Sequence, residues 1–305
     1  MLPLTRRSLL VGGTALTITA LAAPFGGAVL AQVEGVSRRK VGGLDVTALL
    51  DGRITLAANL LSGAPDEEIA KLIGSEAVEG YINAFVVDAP DGPVMIDAGA
   101  GGLTGPAAGR LPQLVAAAGI DPAAITTFYA THLHPDHIGG LVGDGALALP
   151  NARMVVHERE RAFWTDDDVM KQAGEGNAAF FQAARGALAA FGDRVETFSG
   201  EEVPGPLSAV ELFGHTPGHV GYRVADGDQQ MLVWGDIIHA PVVQFPRPAV
   251  TIAFDVDAAQ AAETRKRALD MVTSDDMAVA GMHLVFPAMG QVTKSGEGYA
   301  FETGA

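Results

Sequence analysis

Hydrophobic and polar positions alternate in short runs from about residue 41 onward, and the runs predict the elements. GLDVTALLDGRITL reads as two short β segments folded about Asp51-Gly52, a hairpin signal. PDEEIAKLI, residues 65–73, opens on proline and acids and carries helical spacing. YINAFVVDAPDGPVMIDAG reads as a strand pair hinged on Pro90-Asp91-Gly92-Pro93. Residues 106–118 predict a helix, and ITTFYATHLHPDH a buried strand that runs out into a loop. ARMVVHERERAFW predicts strand then helix, and the alanine-rich stretch 168–191 a further helix. RVETFSG, VELFGH and QMLVWGD are strand-like, separated by turns such as Asp226-Gly227. DVDAAQAAETRKRALDMV, residues 255–272, is an amphipathic helix with aspartate at its start. MAVAGMHLVF and VTKSGEGYAF read as a last strand and a hairpin. Helices interleave with strands, so the expected class is α/β or α+β, in one domain over residues 36–305.

The first 31 residues read as an address rather than as fold. Arg6 and Arg7 stand in Thr-Arg-Arg-Ser-Leu-Leu, an apolar stretch follows, and Val29-Leu30-Ala31 places small residues where a signal peptidase cuts. This resembles a bacterial twin-arginine signal, implying a periplasmic or secreted protein. Gly12, Gly13, Pro24, Gly26 and Gly27 interrupt the run, against a membrane anchor, which needs about 20 apolar residues. No membrane association is expected once the signal is removed.

Composition removes several kinds of chemistry. There is no cysteine in the 305 residues, hence no disulfide, no thiolate ligand and no cysteine nucleophile. The formal charge is −16 with no basic block, which works against nucleic acid and anionic membrane surfaces. A neutral or cationic small substrate fits better.

Against that background THLHPDHIGG, residues 131–140, holds three of the eight histidines. Such a segment is either a polar, solvated turn or a metal site. His132 and His134 are spaced to point the same way from a strand end. Asp136 and His137 follow where Pro135 stiffens a turn, and Gly139 and Gly140 let backbone pass close behind. Imidazole and carboxylate together suit zinc and its neighbours.

His132-X-His134-X-Asp136-His137 resembles the signature of the metallo-β-lactamase fold superfamily, whose members are α+β proteins built as αβ/βα four-layer sandwiches. The resemblance implies further ligands in order: His215 in FGHTPGH, Asp236 in LVWGD and His283 in VAGMHLVF. It implies that His132, His134 and His215 hold one metal, that Asp136, His137 and His283 hold the other, and that Asp236 bridges them. Asp97 in VMIDAG matches an acid that supports the site from behind. His219 is expected in a supporting role, His239 as a pocket residue, and His157 as packed or surface.

An aspartate at 236 narrows the family. It points away from the β-lactamases with cysteine there and toward lactonases, glyoxalase-II-like thioesterases, nucleases and organophosphate hydrolases, with charge opposing the nucleases. The segments WGDIIHAPVVQFPRPAVTIAFDVD and GMHLVFPAMGQVTKSGEGYAF are similar to the methyl parathion hydrolase group. That implies a dimeric, dinuclear hydrolase of neutral lactones, aryl esters or phosphotriesters. Two divalent ions, zinc first but manganese, cobalt or iron also accommodated, would make hydroxide available at neutral pH. Asp136 would orient the nucleophile or carry its proton. Phe163 and Trp164 fall where the group lines its pocket with aromatics, or else pack into the core. The alternatives are a persulfide dioxygenase-like oxidoreductase using one iron, a glyoxalase-II-like thioesterase, and a non-catalytic metal-binding or chaperone-like protein.

Overall fold

In the computed structural model two β-sheets pack face to face, each strand alternating its side chains between two cores. The structure describes residues 33–143 and 146–304, so the export signal read at 1–31 lies outside the described residues. The first sheet runs Val36–Val41, Leu44–Ala57, Ala77–Ala89, Gly92–Ile96, Thr127–Tyr129, Arg153–His157 and Val195–Phe198 in spatial order. The second runs Ser208–Glu211, Val220–Asp226, Gln229–Val233, Ala278–Ala280, Met289–Ser295 and Gly298–Thr303.

The period of two decides which core each residue enters. Phe85, Val87, Ile96, Tyr129 and Val155 turn inward with Tyr222, Val224, Met231 and Val233 to fill the space between the sheets. Their neighbours Ala84, Val86, Met95, Phe128 and Met154 face the opposite way, under helices Leu111–Ala117 and Ala178–Phe191. The far side of the second sheet is covered by helix Ala258–Ser274, which buries Ala268, Leu269 and Val272. Helix, sheet, sheet and helix make the expected α+β four-layer sandwich. Each fully buried aliphatic or phenyl side chain contributes about 1.5–3 kcal/mol. No helix among the described residues is long and apolar enough to cross a membrane.

Several elements differ from the pattern reading. Asp51-Gly52 makes no hairpin: Leu44–Ala57 is one strand, pairing along its length with Ala77–Ala89, and the register shifts between Leu50 and Gly52. The reason is tertiary. Asp51 is buried, and its carboxylate accepts from the backbone N–H groups of Ala100, Gly109 and Leu111, so the polar pair anchors a loop instead of turning the chain. The helix expected over 168–191 divides into Asp167–Ala173 and Ala178–Phe191, broken where Gly174 takes φ 80°. The helix expected over 106–118 is confined to Leu111–Ala117. Val220–Asp226 is a further strand, entering from the FGHTPGH turn. Helix Ala258–Ser274 begins as expected, its Asp257 cap accepting from Gln260 N–H at 3.0 Å.

Candidate metal centre

Parallel strand pairing brings distant ligands level. Val233 pairs with Ala280, so Asp236 and His283, each three residues further on, leave the second sheet side by side. In the first sheet Ile96 pairs with Tyr129, which sets Asp97 beside Thr131 at the head of the histidine segment. The segment turns at once into the short helix Pro135–Ile138, delivering Asp136 and His137 to the same space. Gly139 and Gly140 are needed there: a Cβ on either would come within 2.0 Å of a carbonyl oxygen, of Ala100 and Ala98 respectively.

Ligating atoms gather in three groups, one of which, Asp236, His239 and His283, shares a member with each of the others. The other two are separate: His132, His134, His215 and Asp236 have atoms within 4.8 Å of one another, as do Asp136, His137 and His283. Asp236 lies between them, with Oδ2 3.2 Å from His215 Nε2 and from His283 Nε2, and Oδ1 3.2 Å from His137 Nε2. His134 Nδ1 is 2.9 Å from His132 Nε2 and 3.0 Å from His215 Nε2. Every histidine except His157 belongs to this cluster or touches it.

At His137, His283, His132 and His215 the outward-facing ring nitrogen is held. His137 Nδ1 lies 2.6 Å from Asp97 Oδ2, while Thr131 N–H and Oγ1–H donate to the same carboxylate. Asp97 itself takes φ 55°, a conformation a non-glycine residue adopts only when its surroundings require it. His283 Nδ1 donates to the Tyr81 carbonyl at 2.6 Å, and His132 Nδ1 faces Thr131 Oγ1 at 3.1 Å. His215 Nδ1 lies 2.8 Å from Asp255 Oδ1. Asn83 fixes the His283 loop by donating to the carbonyls of Met282 and Leu284 at 2.8 and 2.9 Å. His219 takes its supporting place: Nδ1 donates to Leu212 O, and Nε2 accepts from the N–H of Asp236 at 3.0 Å. Burial, and then the neighbouring His215, lower its pKa to about 3.

The donor set suits cations. His132 and His134 are held well below the usual imidazole range, by burial first and then by His137 and His215 respectively. Burial opposes charge on Asp236 too, yet the histidines around it outweigh this and keep its carboxyl well below the usual range. At His137, burial is likewise outweighed by Asp236, Asp136 and Asp97, which push its pKa well up. His137 Nε2 and Asp236 Oδ1 are buried and find no hydrogen-bond partner among the described residues. Buried polar atoms left this way cost about 1–3 kcal/mol each. A pair of divalent cations between the two groups would satisfy both, and the residues present therefore fit one.

The centre opens into a cavity of about 320 Å³, walled by Ile54, Leu56, Leu60, Leu103, Phe180 and Phe254, with Asp136 and His239 at the polar end. His239 lines this cavity, its Nε2 3.0 Å from Asp236 Oδ2 and its ring stacked on His283 at 5.1 Å. Phe163 and Trp164 do not line this cavity. They line an adjoining one, shared through His134, Phe180 and Phe254, while the Trp164 ring is buried in the core under the first sheet. His157 is buried, capping the helix Glu158–Thr165 by accepting from Arg159 N–H. Sequence reasoning missed Asp255, Asn83 and Glu160; only the Asp-X-Asp pair at 255–257 hinted at the first, and it was read as a helix start alone.

The metallo-beta-lactamase superfamily profile matches residues 77–283, and the chain belongs to that superfamily. Among solved structures, the hydrolase AbOPH of the beta-lactamase superfamily is similar with TM-score 0.85 and 30% identity, over 90% of this chain and 99% of that one. AidC, a dizinc quorum-quenching lactonase in complex with N-hexanoyl-L-homoserine, is similar in fold, with TM-score 0.81 and 23% identity over 89% of this chain and 98% of that one. A ribonuclease Z of Bacillus licheniformis is 30% identical over 164 residues. That match takes in 45% of this chain and 52% of the relative, so the chain spans about half the length of the curated relative it matches.

Proposed function

We propose that the protein is a dinuclear metal-dependent hydrolase of neutral lactones, aryl esters or phosphotriesters, of the methyl parathion hydrolase-like kind. The carrying observation is Asp236, a buried carboxylate set between two groups of ligating atoms at the floor of an apolar cavity. His132, His134 and His215 would hold one ion, Asp136, His137 and His283 the other, and Asp236 both. Zinc is the first choice, as in the dizinc lactonase AidC, although manganese, cobalt or iron suits the same donors. Such ions supply Lewis acidity, bringing the pKa of water from 15.7 to about 7 and polarising an ester or phosphoryl oxygen.

The chain's own residues do the rest. Asp136 is the one ligand carboxylate that keeps partial exposure, with Oδ2 3.5 Å from His283 Nε2. It faces the cavity, where it can accept a proton from attacking water and pass it to the departing oxygen. A phenol or enol leaving group is acidic enough to need no separate acid. Phe180, Phe254, Leu103 and Leu60 exclude water and bind the apolar body of the substrate. A net charge of −16 works against a polyanionic substrate and leaves neutral esters favoured.

Metal analysis followed by a panel of an aryl lactone, an acyl-homoserine lactone, a phosphotriester and a chromogenic β-lactam tests the proposal. Turnover of a lactone or the triester with two equivalents of metal is expected. Strong β-lactam turnover with neither lactone nor triester activity would overturn it, as would full activity and full metal content in His215→Ala. Export by the twin-arginine route and a homodimeric state belong to the same proposal, tested by the N-terminus of the protein recovered from periplasm and by its mass in solution.

A further inference from the structure

Glu160 is a fully buried carboxylate that belongs to none of the groups of ligating atoms. It lies in the helix Glu158–Thr165, behind the centre. Both its oxygens are engaged. Oε1 accepts from the backbone N–H of Leu133 at 2.9 Å and from the Trp164 indole N–H at 2.6 Å. Oε2 accepts from Thr216 Oγ1 at 2.6 Å and from the backbone N–H of Gly218 at 3.1 Å.

The partners fall into two sets. Leu133 is the residue between His132 and His134, and the Trp164 ring meets His134 edge-on at 5.4 Å. Thr216 and Gly218 form the turn that directly follows His215. One carboxylate therefore joins the two chain segments, more than 80 residues apart, that carry all three histidines of one metal position. The contact is close: a Cβ on Gly218 would come within 2.2 Å of the Glu160 nitrogen. The other position is oriented by different groups, Asp97 behind His137 and the Tyr81 carbonyl behind His283.

We infer that Glu160 is a positioning residue for the three-histidine metal position, clamping the His132–His134 segment to the turn after His215. The inference rests on the two-metal reading above. Burying an acid away from any cation is costly, and four donors aimed at it offset that cost only while both segments hold their places. Glu160→Gln keeps the shape but turns an NH2 group toward two of the four donors, which breaks half of the clamp.

The test is metal uptake by the full chain, stripped with a chelator and titrated with Zn2+ against a chromophoric competitor. The wild type is expected to bind two equivalents tightly. Glu160→Gln should keep one at wild-type affinity and bind the other about 10–100-fold more weakly, the usual effect of losing an outer partner. Leu269→Ala, a core truncation under the second sheet, should lower the melting temperature yet leave both affinities unchanged. Wild-type affinity for both ions in Glu160→Gln, or equal weakening of both, overturns the inference. If that variant does not fold, Thr216→Val, which removes one donor, carries the test: a smaller weakening confined to one equivalent is expected, and none overturns the inference. A wild type that binds fewer than two ions defeats the two-metal reading, and does so before any substitution is made.

Discussion

Asp255 Oδ1 lies 2.8 Å from Nδ1 of His215, and the same carboxylate accepts from Ile252 N–H through Oδ2. Burial opposes charge on the imidazole, but bonds to Asp236 and Asp255 outweigh it and raise the His215 pKa to about 9. Asp255 fixes which nitrogen of His215 faces the centre, a role that outer carboxylates commonly play behind ligating histidines.

Behind Asp255 stands Arg265, fully buried, with Nη2 3.8 Å from Asp255 Oδ2. Its Nε donates to Ile237 O at 2.6 Å and its Nη1 to the carbonyls of Pro248 and Val250. Burial lowers its pKa to about 10, which still leaves it charged at neutral pH. Arg265→Leu leaves the carbonyls of Ile237 and Pro248 without their donor and takes the cation away from Asp255, so equilibrium unfolding in urea should show a loss of about 3–5 kcal/mol. A loss below about 1 kcal/mol would show that the network is not holding the segment after Asp236.

Removing the metal should destabilise the fold as well as end turnover. At free metal about 1,000-fold above the dissociation constant, binding contributes about 4 kcal/mol. Chelation should therefore lower the melting temperature by many degrees, and re-addition of Zn2+ should restore it. Asp236→Ala should show a low melting temperature that no longer responds to chelator, because on the proposed two-metal reading both positions would lose a shared ligand.

Alkaline stability isolates a residue remote from the centre. Tyr129 is buried between the sheets, donates to Pro204 O at 2.7 Å, and burial raises its pKa to about 12. The unfolded value is about 10. A raised folded pKa keeps its full contribution below about pH 10 and loses it progressively as pH rises toward 12. Denaturation midpoints should fall over that window in the wild type and fall less in Tyr129→Phe.

Phe254 stands at the cavity mouth and borders both the main cavity and the adjoining one beside Trp164. Phe254→Ala removes apolar contact without touching a ligating group. It should raise KM about tenfold for substrates with an apolar body while leaving kcat within about twofold. A fall in kcat with unchanged KM would place Phe254 in the chemistry instead.

Much of the centre was legible because its residues are chemically distinctive. His132, His134, Asp136 and His137 sit close together in sequence, and His215, Asp236 and His283 each end a strand-like run. Asp51 departs from its pattern because Asp-Gly is a turn signal only when the aspartate is free to face water, and here it is drawn inward to hold the N–H groups of Ala100, Gly109 and Leu111. Phe163-Trp164 was ambiguous for a related reason: an aromatic pair on a helix fits a pocket or a core equally well, and only the packing of Trp164 against Phe181 at 4.7 Å resolves it.

The sequence by itself determined the strand periodicity, the sandwich class and the candidate ligand residues that gather at one centre, since these depend on local spacing and residue chemistry. Only the tertiary structure decided which groups stand behind them. Asn83 and Glu160 carry no local signal and Asp255 only a faint one, because an acid or amide takes up such a role through partners distant in sequence, His215 for Asp255, Leu284 for Asn83 and Thr216 for Glu160. The parallel register of Val233 with Ala280 likewise exists only in the folded sheet, and it is that register which sets Asp236 beside His283.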